Sequence, residues 1–164
     1  MILIGIGGNL DSPTFGPPRE TLRAALAALE QEGVSILARS GWYQSEPVPR
    51  SGQPWFVNAV VSVTTELGAR ELLTILQAIE ASFGRVRAKR NAARILDLDI
   101  LAYDAVVMQT ATLTLPHPRL HERRFVLVPL VEIAPDWRHP LLGLTARELL
   151  ARLSPEQQLD RMPC

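Results

Sequence analysis

Residues 55–65 alternate so regularly that only an extended strand accommodates them. Trp55, Val57, Ala59, Val61 and Val63 fall on one apolar face, and Phe56, Asn58, Val60, Ser62 and Thr64 on a mixed one. A strand with a wholly apolar face has to bury it under another layer. The neighbouring segments supply that layer. After Pro17 and Pro18, Leu22, Ala25, Leu26 and Leu29 recur at helical spacing until Gly33. Leu72, Ile75, Leu76, Ile79 and Phe83 form a second helical stripe that stops at Gly84. Short apolar runs over residues 2–6, 34–43 and 96–103 read as further strands.

The resulting order is β-α-β-β-α-β, which predicts an α+β ferredoxin-like βαββαβ sandwich with both helices on one sheet face. Phe56, Asn58, Asp97 and Asp99 are expected on the opposite, open face. Residues 46–54, with Pro47, Pro49, Gly52 and Pro54, read as a loop. Short strands over 106–108 and 113–115, a proline-interrupted helix over 123–133 and a Thr145-capped helix to about Leu153 add C-terminal strands and helices. No linker or repeat divides residues 1–164, so a single domain is expected.

Composition excludes several classes. The apolar start Met1-Ile2-Leu3-Ile4 has no basic flank, the first basic residue being Arg19, and glycines end it after a strand's length; it is not read as a signal peptide. No apolar run is long enough to span a membrane. The one cysteine, Cys164, excludes a disulfide framework and a thiolate metal cluster. A cytoplasmic location is expected. Net charge is zero, which argues against a dedicated nucleic-acid binder. The charge is nevertheless clustered: Arg85, Arg87, Lys89, Arg90 and Arg94 run without an intervening acid, and Arg119, Arg123 and Arg124 form a second group. Arginine is the side chain that grips phosphate oxygens in a bidentate fork.

Asp97 and Asp99 stand two apart on a strand, so both carboxylates share a face with Cα atoms roughly 6–7 Å apart. Hard divalent cations take such oxygen ligands. An ordinary solvated strand face would also account for the pair. The adjoining arginines favour a site for a polyphosphate with Mg²⁺, acids for the metal and arginines for the phosphates. Gly5, Gly7 and Gly8 complete neither a dinucleotide fingerprint nor a P-loop, and are read as permitting a tight strand-to-loop turn. His117 and His121 lack a third ligand for zinc; His117, between two prolines and near arginines, reads as a phosphate contact.

Ordered blocks then carry a resemblance across roughly residues 2–140: Ile6-Gly7-Gly8-Asn9-Leu10, Trp42-Tyr43-Gln44-Ser45-Glu46-Pro47, Gln53-Pro54-Trp55-Phe56-Val57-Asn58, Gly84-Arg85, Arg94-Ile95-Leu96-Asp97-Leu98-Asp99, Leu115-Pro116-His117-Pro118-Arg119, Arg123-Arg124-Phe125 and Pro129-Leu130-Val131-Glu132-Ile133-Ala134-Pro135. The chain resembles the 6-hydroxymethyl-7,8-dihydropterin pyrophosphokinase family. That resemblance implies a monomer that takes Mg·ATP and then the pterin alcohol, releasing AMP and the pterin diphosphate in folate synthesis, with a functional link to dihydropteroate synthase. It implies Asp97 and Asp99 as ligands of two Mg²⁺, and Arg85 and Arg94 as stabilisers of the moving pyrophosphoryl group. Gln77, Glu80, Arg87, Arg90, Thr114, His117 and Arg123 would contact ATP. Phe56 and Phe125 would sandwich the pterin, with Asn58 and the segment of Ser45, Pro47 and Val48 reading its edge. Asn91-Ala92-Ala93 stands where many members carry Trp-Gly-Pro, in a loop one residue shorter.

Two other readings share part of this pattern. Another Mg²⁺-dependent nucleotidyl or phosphoryl transferase would use Asp97, Asp99 and the arginines, without needing Phe56, Asn58 and Phe125 together. An RNA-binding module of the same sandwich would want a basic sheet face, which two acids oppose. The loops over residues 46–54 and 84–93 are expected to act as lids that order with both substrates.

Overall fold

Nine residues of alternation become the longest strand. In the computed structural model, which describes residues 1–47, 52–84, 93–155 and 158–163, β1 spans Ile2–Gly8, α1 Pro18–Gln31, β2 Ser35–Arg39, β3 Tyr43–Ser45, β4 Phe56–Thr64, α2 Ala69–Ser82 and β5 Asp97–Tyr103. Short β6 (Met108–Gln109) and β7 (Thr114–Leu115) pair with each other, and a 3₁₀ turn at Leu120–Glu122 leads to α3 (Arg124–Ile133), α4 (Ala146–Ala151) and β8 (Leu159–Arg161). The main sheet is antiparallel, in the order β5-β1-β4-β3-β8, with β2 also on β4. Thr145 caps α4 through a reciprocal box with Glu148.

One sheet face behaves as the alternation predicts. Ile2, Ile4, Ile6, Val57, Ala59, Val61, Val63, Leu98 and Ile100 are buried there against Leu22, Ala25 and Leu29 of α1 and Leu72, Leu76 and Ile79 of α2. Gly33 and Gly84, both at positive φ, stop the two helices. The other face is not bare. Leu3, Val60 and Leu101 are buried in a second cluster with Leu120, Val126, Leu127 and Leu130, continued by Ala146 and Leu149 of α4. The C-terminal helices therefore cover part of the face expected to be open, because α3 carries its own apolar stripe and needs a partner.

The strand expected over residues 34–43 is two strands. Between them Ser40, almost wholly buried, donates its N–H to the Val60 carbonyl, while its Oγ accepts the Val60 N–H at 3.0 Å and donates to the Gly41 carbonyl. A side chain replaces one ladder partner, so the chain breaks direction with its buried polar groups satisfied. Beyond the break, Glu132 of α3 accepts from the Gly41 N–H at 2.9 Å and the Tyr43 hydroxyl at 2.6 Å. Burial and that carboxylate push the Tyr43 hydroxyl up to about 12. β8 pairs with β3, an addition absent from the sequence expectations.

Candidate active site

Register builds the site. Gly7 of β1 lies opposite Asn58 of β4 on one side and opposite Asp97 of β5 on the other; Gly5 lies likewise between Val60 and Asp99. Directly opposed residues project to the same face, so Asn58 and Asp97 flank a strand position with no side chain. Two strand spacings put their Cα atoms about 10 Å apart. A Cβ on Gly7 would stand 2.5 Å from Asn58 Oδ1, and one on Gly8 only 2.3 Å from the Ile95 carbonyl oxygen. These glycines serve close approach, not the tight turn expected of them: both are buried, Gly7 under Asn58 and Gly8 against the Ile95 carbonyl.

On the β4 side, Asn58 is buried and its Nδ2 donates to Ser45 Oγ at 2.8 Å. Phe56 pairs with Ser45 across the ladder and is half-buried; Pro47 is buried just beyond. On the β5 side, Asp97 and Asp99 are both half-buried on the polar face of the strand. Arg94 Nη1 lies 3.1 Å from Asp97 Oδ1. His117, after Thr114 of β7, donates its N–H to the Leu101 carbonyl of β5. Its Nδ1 accepts the Arg119 N–H at 3.1 Å, which leaves the ring proton on Nε2. Burial first, then the Arg123 guanidinium, lowers its pKa to about 4 against the opposing pull of Asp97. At neutral pH His117 is therefore an uncharged donor. Arg123 places its guanidinium 5.4 Å from the ring centre of Phe125. Phe125 is half-buried and packs on the second cluster.

Asp97, Arg94, His117, Arg119 and Arg123 are thus gathered at one end of the sheet, and Ser45, Phe56 and Asn58 line the far side of Gly7. The two ATP candidates on α2 approach from the helical layer. Gln77 is exposed, and Glu80 is buried with Oε2 accepting the Leu98 N–H at 2.8 Å, a carboxylate that ties α2 to β5. Val48, Arg85, Arg87 and Arg90, and with them residues 48–51 of the first expected lid and 85–92 of the second, including Asn91-Ala92, lie outside the described residues. One residue was overlooked. Asn9, quoted only as part of a motif, is buried and bonds to both loop roots; a polar residue directly after Gly7-Gly8 was the available signal. A separate concavity lined by Met1, Asp104, Trp137 and His139 lies past the opposite end of β5.

The carboxylate pair fits a hard cation. Two half-exposed oxygen donors face a basic cluster, and the described residues hold no group of three or more acidic, His or Cys side chains for a metal. Mg²⁺ is held in this way, by one or two carboxylates with phosphate and water supplying the rest.

A row of amide, glycine and carboxylate beside arginines, on an antiparallel sheet layered with helices, offers the groups that a small-molecule phosphotransferase requires. The sequence model of the 7,8-dihydro-6-hydroxymethylpterin-pyrophosphokinase (HPPK) family matches residues 3–135. A 2-amino-4-hydroxy-6-hydroxymethyldihydropteridine pyrophosphokinase of Methylorubrum extorquens is 41% identical over 93% of this chain and 92% of its own length. One from Pseudomonas aeruginosa is 40% identical over 99% and 96% respectively. The folic acid synthesis protein fol1 of Pneumocystis carinii is 38% identical over 88% of this chain, which spans 19% of that longer protein. Among solved structures, Plasmodium falciparum HPPK-DHPS with pteroate superposes with a TM-score of 0.72 at 14% identity. That likeness concerns the fold; it covers 92% of this chain, which spans 44% of the Plasmodium chain. The chain belongs to the 7,8-dihydro-6-hydroxymethylpterin-pyrophosphokinase family, and is an enzyme of pyrophosphoryl transfer in folate biosynthesis.

Proposed function

We propose that this chain binds Mg·ATP at the Asp97 end of the groove and the pterin at the Asn58 end. The alcohol oxygen of 6-hydroxymethyl-7,8-dihydropterin forms a bond to the β-phosphorus of ATP, the bond from that phosphorus to the α-phosphate oxygen breaks, and AMP leaves. The alcohol proton passes to solvent. The Asn58–Gly7–Asp97 row supports the reading: an amide suited to a heterocycle and a carboxylate suited to a metal flank a strand position without a side chain.

Asp97 and Asp99 would hold Mg²⁺, read as two ions, which when bound neutralises phosphate charge. Arg94, already beside Asp97, would follow charge as it moves to the leaving phosphate. His117 would donate Nε2–H to a phosphate oxygen, with Arg123 and Thr114 nearby in sequence and Gln77 and Glu80 towards the nucleotide from α2. Phe56 and Phe125 would cover the two faces of the pterin, a flat polar ring that gains from aromatic faces and a few polar groups at its rim. Asn58, Ser45 and Pro47 would meet that rim. The same reading includes a ferredoxin-like sandwich, a cytoplasmic monomer and a functional link to dihydropteroate synthase, the last supported by relatives that are longer folate-synthesis proteins.

The test is AMP release from Mg·ATP with and without 6-hydroxymethyl-7,8-dihydropterin. AMP forming only when the pterin is present is expected. AMP forming equally without it, or ADP forming instead, overturns the reading.

A further inference from the structure

The last turn of α3 is tied to the sheet through one carboxylate. Glu132 Oε1 accepts the Tyr43 hydroxyl at 2.6 Å; Oε2 accepts the Gly41 N–H at 2.9 Å and meets the Arg161 guanidinium at 3.5 Å. Tyr43 is only 8% exposed. With its pKa pushed up to about 12, its hydroxyl stays a donor across the working pH range. Phe125 stands seven residues before Glu132 on the same helix. Seven residues make almost two full turns, so the two share a side of α3, about 10 Å apart along its axis. Tyr43 lies opposite Asn58, and Ser45 opposite Phe56, so these four share one sheet face. α3 packs on both of those strands.

We propose that Glu132 is a positioning residue that sets the width of the heterocycle slot, by fixing Phe125 of α3 relative to Phe56 of β4. The inference rests on the reading that those two rings take the pterin between them. Burial of Val126, Leu127 and Leu130 holds α3 on the sheet, but apolar contact is non-directional. The bonds to Glu132 are directional, and a charged acceptor makes each roughly twice as strong as a neutral one. They end on a strand that cannot easily yield, since β3 is paired with β4 on one edge and β8 on the other. That strand also carries Ser45, whose Oγ accepts from Asn58. On the other side, α3 continues as one helix through buried Pro129, so a displacement at Glu132 is carried to Phe125. Without the tie, Phe125 and Phe56 would be set only by packing, and a flat ring would meet a slot of variable width.

Tyr43→Phe removes the hydroxyl and leaves the ring, Gly41 and Arg161 in place. Glu132→Ala removes the whole tie, and Glu132→Gln keeps an acceptor oxygen without the charge. Calorimetry would measure the Kd of 6-hydroxymethyl-7,8-dihydropterin with Mg²⁺ and α,β-methylene-ATP present, and the Kd of that nucleotide alone. Denaturant melts would give the folded fraction of each variant. Pterin affinity is expected to fall about fivefold in Tyr43→Phe and about tenfold or more in Glu132→Ala, with Glu132→Gln in between and nucleotide affinity within about twofold throughout. In steady state, KM for the pterin should rise more than kcat falls. The deciding measurement pairs Glu132→Ala with Phe125→Ala. Once Phe125 is gone, losing Glu132 should cost the pterin no further affinity. Fully additive losses, or lowered stability with pterin affinity unchanged, overturn the proposal. If the unsubstituted protein binds no pterin, or Phe125→Ala binds it undiminished, the sandwich reading itself falls and the slot with it.

Discussion

Two stretches of one sheet face meet opposite fates. Near the middle of the sheet, Leu3, Val60 and Leu101 point into a sealed cluster under α3 and α4. Two to four residues further along β1, the same face presents Gly5 and Gly7, flanked by Asn58, Asp97 and Asp99. Strand spacing and pleat are common to both. The difference lies in the side chains of the central strand: a leucine invites a helix to cover it, whereas glycine lets neighbouring side chains lean in, Leu101 over Gly5 and Asn58 over Gly7. The candidate groove is thus a place where apolar packing gives way: Asp97 and Asp99 stay partly exposed, while buried Asn58 is satisfied by Ser45.

Crossing the halves by mutation sharpens this contrast. Asp97→Ala or Asp99→Ala should reduce turnover by about 10³-fold or more, since several kcal/mol of charge stabilisation depend on them, while thermal unfolding shifts by a few degrees at most. Leu127→Ala in the sealed half should do the reverse, costing about 2–5 kcal/mol of stability with kcat per folded molecule retained. AMP assays beside denaturant melts decide both, and an aspartate variant with activity within a few-fold of the starting protein breaks the metal assignment.

Gly7→Ala should convert groove towards core. Its methyl meets Asn58 Oδ1, and relieving an overpacked contact costs about 1–3 kcal/mol; calorimetry should show that loss in pterin binding, with ATP-analogue binding spared. Phe56→Ala and Phe125→Ala should each weaken pterin binding by about tenfold through loss of a stacked face. Equal losses for both ligands would assign those rings to the core instead.

The smallest effect concerns pH. His117 is held near 4, below its ordinary 6.5, chiefly by burial and then by Arg123. The unfolded chain binds the extra proton first, so the stabilisation is complete above about pH 6.5 and drains away as pH falls towards about 4. In His117→Gln the acid-side slope of stability against pH should be shallower by up to one proton; an unchanged slope would show that the imidazole is not held neutral by the fold.

Much of this arrangement was legible before any coordinates. The period of residues 55–65 and the two helical stripes place Val57, Leu22 and Leu76 correctly, because each has a strong local pattern that burial only reinforces. Asp97 and Asp99 were legible because period two fixes their common face. What escaped is non-local. Nothing in the sequence near Ser40 says that its hydroxyl will stand in for a ladder partner of Val60. The apolar stripe of α3 was visible, but not that it would settle on Leu3 and Leu101. β8 is short and polar, and exists because β3 offers it an edge. Asn9 has no local pattern to mark it, since its partners Gln53, Pro54 and Arg94 lie more than forty positions away.

The central position of β1 also bears on how the molecule assembles. Ile2 pairs with Val63 on one side and with Tyr103 on the other, and Tyr43 finds Arg161 only at the far end of the chain. Every neighbour of the first strand is thus made long after it. Such non-local pairing slows folding, because loop closure must precede the contacts that reward it. During synthesis Ile2, Leu3 and Ile4 wait without a sheet to join until β4 and β5 emerge. The strand that later carries the groove floor is therefore, for that interval, the part of the nascent chain most open to mispairing.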